Sequence, residues 1–173
     1  MSKKIVFENK KQVDILREKI VSTTNAKLKM LWQSGEGIDF LRNVKFEPCG
    51  YDPLFEHDTN FIEQTNQTFT YLVCLVAVDI LLSKHPSHKF TVSFGTESGY
   101  DVVSEDSSII CECFAVTAPD SNGKLEKDTR KVFENTDADN KYVIFYSSNP
   151  KPIHIENIRK KYSDVDIIAL QKI

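Results

Sequence analysis

The pattern of apolar residues predicts helix over the first part of the chain. Apolar side chains recur at helical spacing across residues 11–33, and Gly35 and Gly37 follow as a stop. The polar run at 22–25, Ser-Thr-Thr-Asn, interrupts this period because such side chains compete for backbone hydrogen bonds. We therefore expect one bent helix or two short ones. Residues 37–57 have no clean period and are rich in turn residues, so they form either a connecting loop or a lid over a site.

A long helix is predicted next, at the centre of the fold. Thr59 or Asp58 is its expected N-cap, and Pro86 is its expected end. Residues 69–82 are apolar nearly all round, which is typical of a helix packed on two sides. This run is shorter than the roughly 20 residues that span a membrane. Residues 63–67 are polar, and this end of the helix either projects into a cleft or is an ordinary exposed end.

Alternating patterns in the second half of the chain predict a sheet. An antiparallel meander of three short strands is expected at residues 90–95, 100–104 and 109–116. A near-continuous apolar run is typical of a strand covered on both faces, and it occurs at 142–146. Helices at 124–135 and 155–162 and a last strand at 165–170 complete the predicted elements. This order predicts an α/β sandwich with a central mixed sheet flanked by helices.

Length and charge narrow the range of functions. A chain of 173 residues is long enough for one domain with a sizeable core. We expect a single domain over 1–173, with a helical segment at about 1–56 and a core at about 57–173. The formal net charge of -3 argues against a purely electrostatic nucleic-acid binder. It is compatible with a nucleic-acid enzyme, since a local basic face is enough for binding.

The four cysteines have neither a zinc-binding spacing nor a disulfide pattern. Cys111 and Cys113 are two apart in a predicted strand, so they share a face and are expected to be small core residues. Free thiols are typical of a reducing compartment. The first five residues lack the apolar segment of a signal peptide, so the expected location is cytoplasmic, without membrane contact.

Two acidic residues on neighbouring predicted strands are the main candidates for chemistry. If Val103 pairs near Ile110, Asp101 lies opposite or diagonal to Glu112, within reach of a shared ion. Two buried carboxylates side by side would repel and raise one another's pKa, and a divalent cation such as Mg²⁺ would relieve that repulsion. Two alternatives remain open: Asp101 is an ordinary turn residue, or Glu112 forms a structural salt bridge with a lysine of the next helix.

The order helix, β-meander, helix, strand resembles the core of the PD-(D/E)XK nuclease superfamily, which has the restriction-endonuclease-like fold. In that superfamily an acid lies on the second strand and the (D/E)-x-K triplet lies on the third. Gly-Tyr-Asp at 99–101 resembles the first element, and Glu-Cys-Phe at 112–114 resembles the second, with Phe114 in place of lysine. Residues 122–128 resemble the N-K-L-x-x-D segment that often follows the triplet. The resemblance covers about 58–170, and its motifs are short.

The resemblance implies an α/β restriction-endonuclease-like sandwich that acts as a Mg²⁺-dependent DNA endonuclease, with Mn²⁺ as a substitute. Asp101, Glu112 and the carbonyl of Cys113 would bind the metal, and Glu63 of the leading helix would assist. DNA is the implied partner, and a homodimer would suit the cutting of both strands of a duplex. The residues expected to bind nucleic acid are Lys124, Lys127, Arg130 and Lys131.

Phe114 stands where the superfamily has the lysine that positions the attacking water and balances transition-state charge. On one interpretation a lysine of the following helix replaces it. Lys124 and Lys127 are the expected catalytic residues, and Lys131 is also available. On the other, the chain is a catalytically inactive nucleic-acid-binding or protein-interaction domain with the same fold.

Overall fold

A six-stranded mixed β-sheet runs through the centre of the computed structural model, which describes residues 2–95 and 98–173. Met1, Thr96 and Glu97 lie outside the described residues. The strands are β1 (Ser2–Phe7), β2 (Gly50–Asp52), β3 (His57–Thr59), β4 (Phe90–Gly95), β5 (Val102–Ser104), β6 (Ile109–Val116), β7 (Asn140–Ser147) and β8 (Val165–Leu170). The helices are α1 (Lys10–Trp32), α2 (Gly37–Phe46), α3 (Phe61–Lys84), α4 (Lys124–Phe133) and α5 (Pro152–Lys161).

The strand order in the sheet is β1-β4-β5-β6-β7-β8. The pairs β1–β4, β4–β5 and β5–β6 are antiparallel, whereas β6–β7 and β7–β8 are parallel. This arrangement confirms the predicted α/β fold with a mixed sheet and an antiparallel meander. Val103 pairs with Ile110, so the expected register is also confirmed.

Strand β1 was not predicted by the apolar pattern. It pairs along its whole length with β4, with Phe7 opposite Phe90. Phe7 is buried and its neighbour Val6 is exposed, as expected for successive residues of a strand. The run is short and begins with two lysines, so its period-two signal is weak. Residues 2–7 therefore belong to the same sheet as the meander.

Helix α1 is a single helix, the first of the two predicted alternatives. Its polar run does not break it, because the hydroxyl groups there find partners. The Ser22 hydroxyl donates to the carbonyl of Lys19 at 3.1 Å. The hydroxyls of Thr24 and Thr68 lie 3.1 Å apart, which links α1 to α3.

The segment at 37–57 contains regular structure, so the alternative of a connecting loop is wrong. Helix α2 and the β2–β3 hairpin occupy most of it. The backbone N–H of Tyr51 donates to Gln64 Oε1 at 3.0 Å, which fastens the hairpin to α3. Asp52 is fully buried and accepts hydrogen bonds from the Leu54 N–H and the Tyr71 hydroxyl, both at 2.8 Å. Contacts of this kind leave no periodic signal in a short sequence.

The core has two parts, one on each face of the sheet. Helices α1 and α3 cover the face that carries Cys111 and Cys113, and both thiols are buried as predicted. Helices α4 and α5 cover the other face, where Phe114 packs with Leu125 of α4. The side chains of Glu112 and Phe114 point to this second face, since strand residues alternate.

Helix α3 is the central helix, as predicted, but it begins one residue later than expected. Asn60 is its N-cap, and its side chain accepts a hydrogen bond from the Glu63 N–H at 2.8 Å. Asp58 and Thr59 belong to β3 instead. Among the described residues α3 alone is long and apolar enough to cross a membrane by length and composition, and 56% of its most apolar window is buried inside the protein.

The last elements follow their predicted order with small shifts at their ends. Strand β8 has the expected bounds, whereas β7 is longer than the apolar run that predicted it. Helix α5 begins at Pro152, where the fixed backbone angle of proline suits the first turn. Helix α4 ends at Phe133, two residues before its expected end.

Candidate active site

Asp101 and Glu112 lie side by side on adjacent segments of the sheet. Asp101 directly precedes β5, and Glu112 lies in the middle of β6. Val102 pairs with Cys111, so Asp101, the next residue along, lies level with Glu112. Asp101 Oδ2 accepts a hydrogen bond from the Cys113 N–H at 2.7 Å. The Asp101 carbonyl accepts another from the Ser93 N–H of β4 at 2.9 Å. The Asp101 backbone is therefore held by β4, while its carboxylate is held against β6.

Burial sets the electrostatics of this acidic pair. Glu112 is only 4% exposed, and its burial, followed by the charge of Asp101, raises its pKa to about 7. Burial also raises the pKa of Asp101, although the Cys113 N–H and the Lys131 ammonium act in the opposite direction. A positive charge nearby would therefore stabilise the ionised form of each carboxyl group.

Lys131 supplies such a charge. Its Nζ lies 2.5 Å from Glu112 Oε1 and also donates to the Gly99 carbonyl, so one ammonium joins β6 to the loop before Asp101. The same Nζ lies 5.2 Å from the centre of the Tyr100 ring, within cation–π distance. The sequence prediction placed Lys131 among the nucleic-acid-binding residues and mentioned it only as an additional catalytic candidate.

Lys124 is the first residue of the same helix, α4, and its ammonium lies over the ring of Phe114. Its Nζ is 5.5 Å from the centre of the Phe114 ring and 2.9 Å from the Asp128 carboxylate. Phe114 itself is buried and stacks on Phe145 with ring centres 5.1 Å apart. The expected position of the motif lysine is therefore filled by an aromatic core residue with a cation above it.

Helical spacing explains which residues of α4 reach this site. Lys124, Asp128 and Lys131 follow the spacing i, i+4, i+7, which places them on one side of a helix. Lys127 and Arg130 are exposed. The Glu112–Lys131 pair is the salt bridge to a lysine of the next helix that the sequence analysis left open as an alternative, and the position of α4 on the sheet decides that Lys131 is the lysine that forms it.

Glu63 does not join the acidic pair. It begins α3, the helix on the opposite face of the sheet from Lys131, and its Oε1 accepts a hydrogen bond from Gln67 Nε2 at 3.1 Å. Within residues 2–95 and 98–173, no group of three or more His, Cys, Asp or Glu side chains is arranged to hold a metal ion. Of the three side chains expected to bind the metal, only Asp101 and Glu112 thus lie together.

The polar end of α3 projects into a cleft, the first of the two alternatives for this segment. Glu63 and Asn66 line a cavity of about 480 Å³ together with His57 and Gly95, the last residue of β4. Asn66 also lines a second cavity of about 460 Å³, which reaches Thr117 just beyond β6. The second cavity thus lies at the carboxyl ends of the parallel strands β6 and β7, a place where α/β proteins commonly bind ligands.

The fold and the site define an α/β domain in which a buried Glu112 and a half-buried Asp101 lie together beside one paired lysine. Comparisons with protein-family models, curated proteins and solved structures gave no match to this chain. A function therefore has to be inferred from the chain's own residues.

Proposed function

We propose that the chain is a Mg²⁺-dependent DNA endonuclease with a restriction-endonuclease-like fold. The observation that carries this proposal is the group of Asp101, Glu112 and Lys131, in which a half-buried acid lies beside a buried one and a lysine Nζ lies 2.5 Å from the buried acid. The element order supports it, because α3, the β4–β5–β6 meander, α4 and β7 follow one another as in the PD-(D/E)XK core.

The acidic pair fits a divalent cation in charge and in atom type. Burial raises the pKa of both carboxyls, and a bound cation would favour their charged forms. The two carboxylates and the carbonyl of Cys113 are oxygen donors, and Mg²⁺ usually keeps several waters, so two acidic side chains suffice. When bound, Mg²⁺ would polarise a phosphoryl oxygen and stabilise the leaving oxygen, and Mn²⁺ would substitute for it.

Lys131 is the residue that we assign to the role of the missing motif lysine. Its ammonium reaches the acidic pair from α4 instead of from β6. A fixed positive charge at this place would stabilise negative charge that develops on a phosphoryl group. Phe114 cannot supply this charge, because its side chain is uncharged, and its ring instead packs in the core.

In this proposal the other cations of α4 contact the DNA backbone. Lys127 and Arg130 are exposed, and Lys124 is half-buried beside Phe114. Contacts of lysine and arginine with phosphates provide affinity without sequence preference. In this proposal Lys127 therefore contributes to binding and not to the chemical step, which differs from its expected catalytic role.

A second candidate is a catalytically inactive nucleic-acid-binding or protein-interaction domain. The observation that favours it is the same Glu112–Lys131 ion pair, which by itself neutralises one of the two acids. An ion pair of this kind stabilises a fold without any chemistry, because removing one partner would leave a buried charge uncompensated.

The deciding experiment compares Lys131→Ala with Lys127→Ala, two changes of the same residue type on the same helix. Cleavage of supercoiled plasmid and of single-stranded oligonucleotides is measured with Mg²⁺, with Mn²⁺ and with a chelator. We expect wild type to cut with either metal. Lys131→Ala should lower the rate by about 10²–10³-fold, since it removes a preorganised charge, whereas Lys127→Ala should lower it far less.

The acidic residues provide the second arm of this experiment. Asp101→Asn and Glu112→Gln should abolish cleavage while far-UV circular dichroism shows an intact fold. Wild type that binds DNA but does not cut it, with binding unchanged in both variants, would establish the inactive domain. Wild type that neither cuts nor binds any nucleic acid over a range of salt would refute the endonuclease and the nucleic-acid-binding domain, and it would leave only the protein-interaction domain.

A further inference from the structure

A third acid, Asp128 of α4, lies close to the pair formed by Asp101 and Glu112. Asp128 is only 7% exposed. Its carboxylate accepts a hydrogen bond of 3.1 Å from the ammonium of Lys124, one helical turn earlier. Burial is the main cause of the raised pKa of Asp101 and Glu112, and the negative charge of Asp128 adds to it in both. Asp128 is therefore near enough to act on the acidic pair.

The strand beneath α4 explains this proximity. Glu112 and Phe114 are two residues apart on β6, and both side chains face α4. Lys131 contacts Glu112, whereas Lys124 Nζ lies 5.5 Å from the centre of the Phe114 ring. Asp128 lies between these two lysines on α4, and its burial places it toward the sheet. It therefore faces the stretch of β6 that runs from Glu112 to Phe114.

Helix stability does not explain the ion pair of Lys124 with Asp128. Lys124 is the first residue of α4, where the partial positive charge of the helix end disfavours a cation. Ion pairs along a helix are more favourable when the acid precedes the base, and here the order is reversed. Burial of Asp128 adds a desolvation cost. Local arrangements that cost stability in this way are expected at functional sites.

The contacts of Lys124 hold its ammonium in one place. Asp128 binds the ammonium directly, and the Phe114 ring lies within cation–π distance of it. The ring is a firm support, because Phe114 is buried and stacks on Phe145. The Lys124 side chain is still 45% exposed, so an anion can reach it. An ammonium that is already held loses less conformational entropy on binding an anion than a free one does.

We propose that Asp128 is a positioning residue, which holds the ammonium of Lys124 over Phe114 for contact with one phosphate of the bound DNA strand. This role rests on the proposed function, since it takes DNA as the ligand. It also gives Phe114, which replaces the motif lysine, a part in the site as the support for a lysine of the next helix. Lys127 is exposed on the same helix and contacts phosphates without such support.

The sign of the effect of Asp128→Asn on DNA binding tests this role. Removal of a negative charge by itself strengthens DNA binding, because it increases the electrostatic attraction. Loss of a positioning residue should instead raise the dissociation constant by about threefold to tenfold. Fluorescence anisotropy of a labelled oligonucleotide measures the constant, with a chelator present to prevent cleavage. Glu134→Gln is the matched control, since Glu134 is an exposed acid at the end of the same helix, and it should not weaken binding.

A double-mutant cycle separates positioning from a role in the fold. Lys124→Gln should raise the dissociation constant by about tenfold, and Lys127→Gln should raise it less. Once Lys124 is replaced, Asp128→Asn should no longer weaken binding, because no ammonium is left to position. A structural defect would persist in that background. Circular dichroism checks folding, and if Asp128→Asn does not fold, the comparison of Lys124→Gln with Lys127→Gln decides the outcome.

Three results would overturn the positioning role alone. One is Asp128→Asn that strengthens binding, and another is Asp128→Asn that weakens binding equally with and without Lys124. The third is Lys124→Gln that weakens binding no more than Lys127→Gln. In each case Mg²⁺-dependent cleavage by wild type would leave the nuclease proposal standing. Wild type that binds no DNA would overturn the positioning role together with the nuclease proposal.

Discussion

At the scale of single residues, the distance between the two acids depends on the turn that joins β5 to β6. Asp106 organises this turn by accepting hydrogen bonds from the hydroxyls of Ser104 and Ser108, at 2.6 and 2.8 Å. Ser107 has a φ of 61°, which is uncommon for a serine and belongs to a tight turn. The turn aligns Val103 with Ile110, and Asp101 thereby reaches the level of Glu112.

Asp106 should make stability depend on pH at the acidic end of the range. Bonds from the Ser104 hydroxyl, then from Ser108, hold its pKa well below the ordinary value of 3.8. A carboxyl whose pKa is lower in the folded state stabilises the fold above its unfolded pKa, and this contribution is lost as the pH falls through the folded value. Asp106→Asn should therefore lower the melting temperature at pH 7, and the difference from wild type should shrink steadily below about pH 4.

Thermal melts at several pH values provide the measurement, and Glu105→Gln in the same turn is the control. A difference between Asp106→Asn and wild type that stays constant from neutral pH down to strong acid would contradict this prediction.

At the scale of elements, α3 and α4 play different parts. Helix α3 supplies most of one half of the core, and Val73, Leu75 and Val78 are fully buried in it. Helix α4 instead brings charged residues to the sheet, because Lys131 faces Glu112 while Leu125 fixes the helix in the core. Helix α4 thus positions Lys131 in the candidate site, whereas α3 stabilises the fold that carries the site.

The core role of α3 can be tested with two substitutions on the same helix. Leu75→Ala should lower the free energy of unfolding by about 2–5 kcal/mol, because it leaves a cavity in a fully buried position. Ile62→Ala should lower it by less than about 1 kcal/mol, since Ile62 is largely exposed. Urea denaturation measures both, and a loss below about 1 kcal/mol for Leu75→Ala would mean that α3 is not the central helix.

At the scale of the whole molecule, β1 connects the start of the chain to the sheet. Ser2–Phe7 pairs with Phe90–Gly95, more than 80 residues later in sequence. The ammonium of Lys3 also donates to the Leu54 carbonyl at 2.5 Å, which ties β1 to the segment between β2 and β3. The parts of the chain before and after α3 are therefore joined through one sheet.

Neighbouring residues of β1 should respond very differently to truncation. Phe7→Ala should lower the free energy of unfolding by about 3–5 kcal/mol, since Phe7 packs in the core below the sheet. Val6→Ala should change it by less than about 1 kcal/mol, because Val6 points to solvent. Equal effects of the two substitutions in urea denaturation would show that β1 is not a strand of the sheet.

Local sequence patterns were sufficient to predict much of the fold and the alignment of Asp101 with Glu112. Strands β4, β6 and β8 and helix α3 came from periodicity, because burial of one or both faces imposes the same period on neighbouring residues. The level alignment of Asp101 with Glu112 followed from a short turn and strand alternation, which act over about ten residues. These features depend on residues close together in the chain.

The tertiary structure alone decided which other groups join this pair. Lys131 reaches Glu112 and Glu63 does not, although the sequence makes both available, because α4 and α3 lie on opposite faces of the sheet. Strand β1 is likewise a short segment that gains its partner from a contact distant in sequence, since Ser2–Phe7 pairs with Phe90–Gly95. Such contacts form only after the chain has closed long loops, and no local period records them.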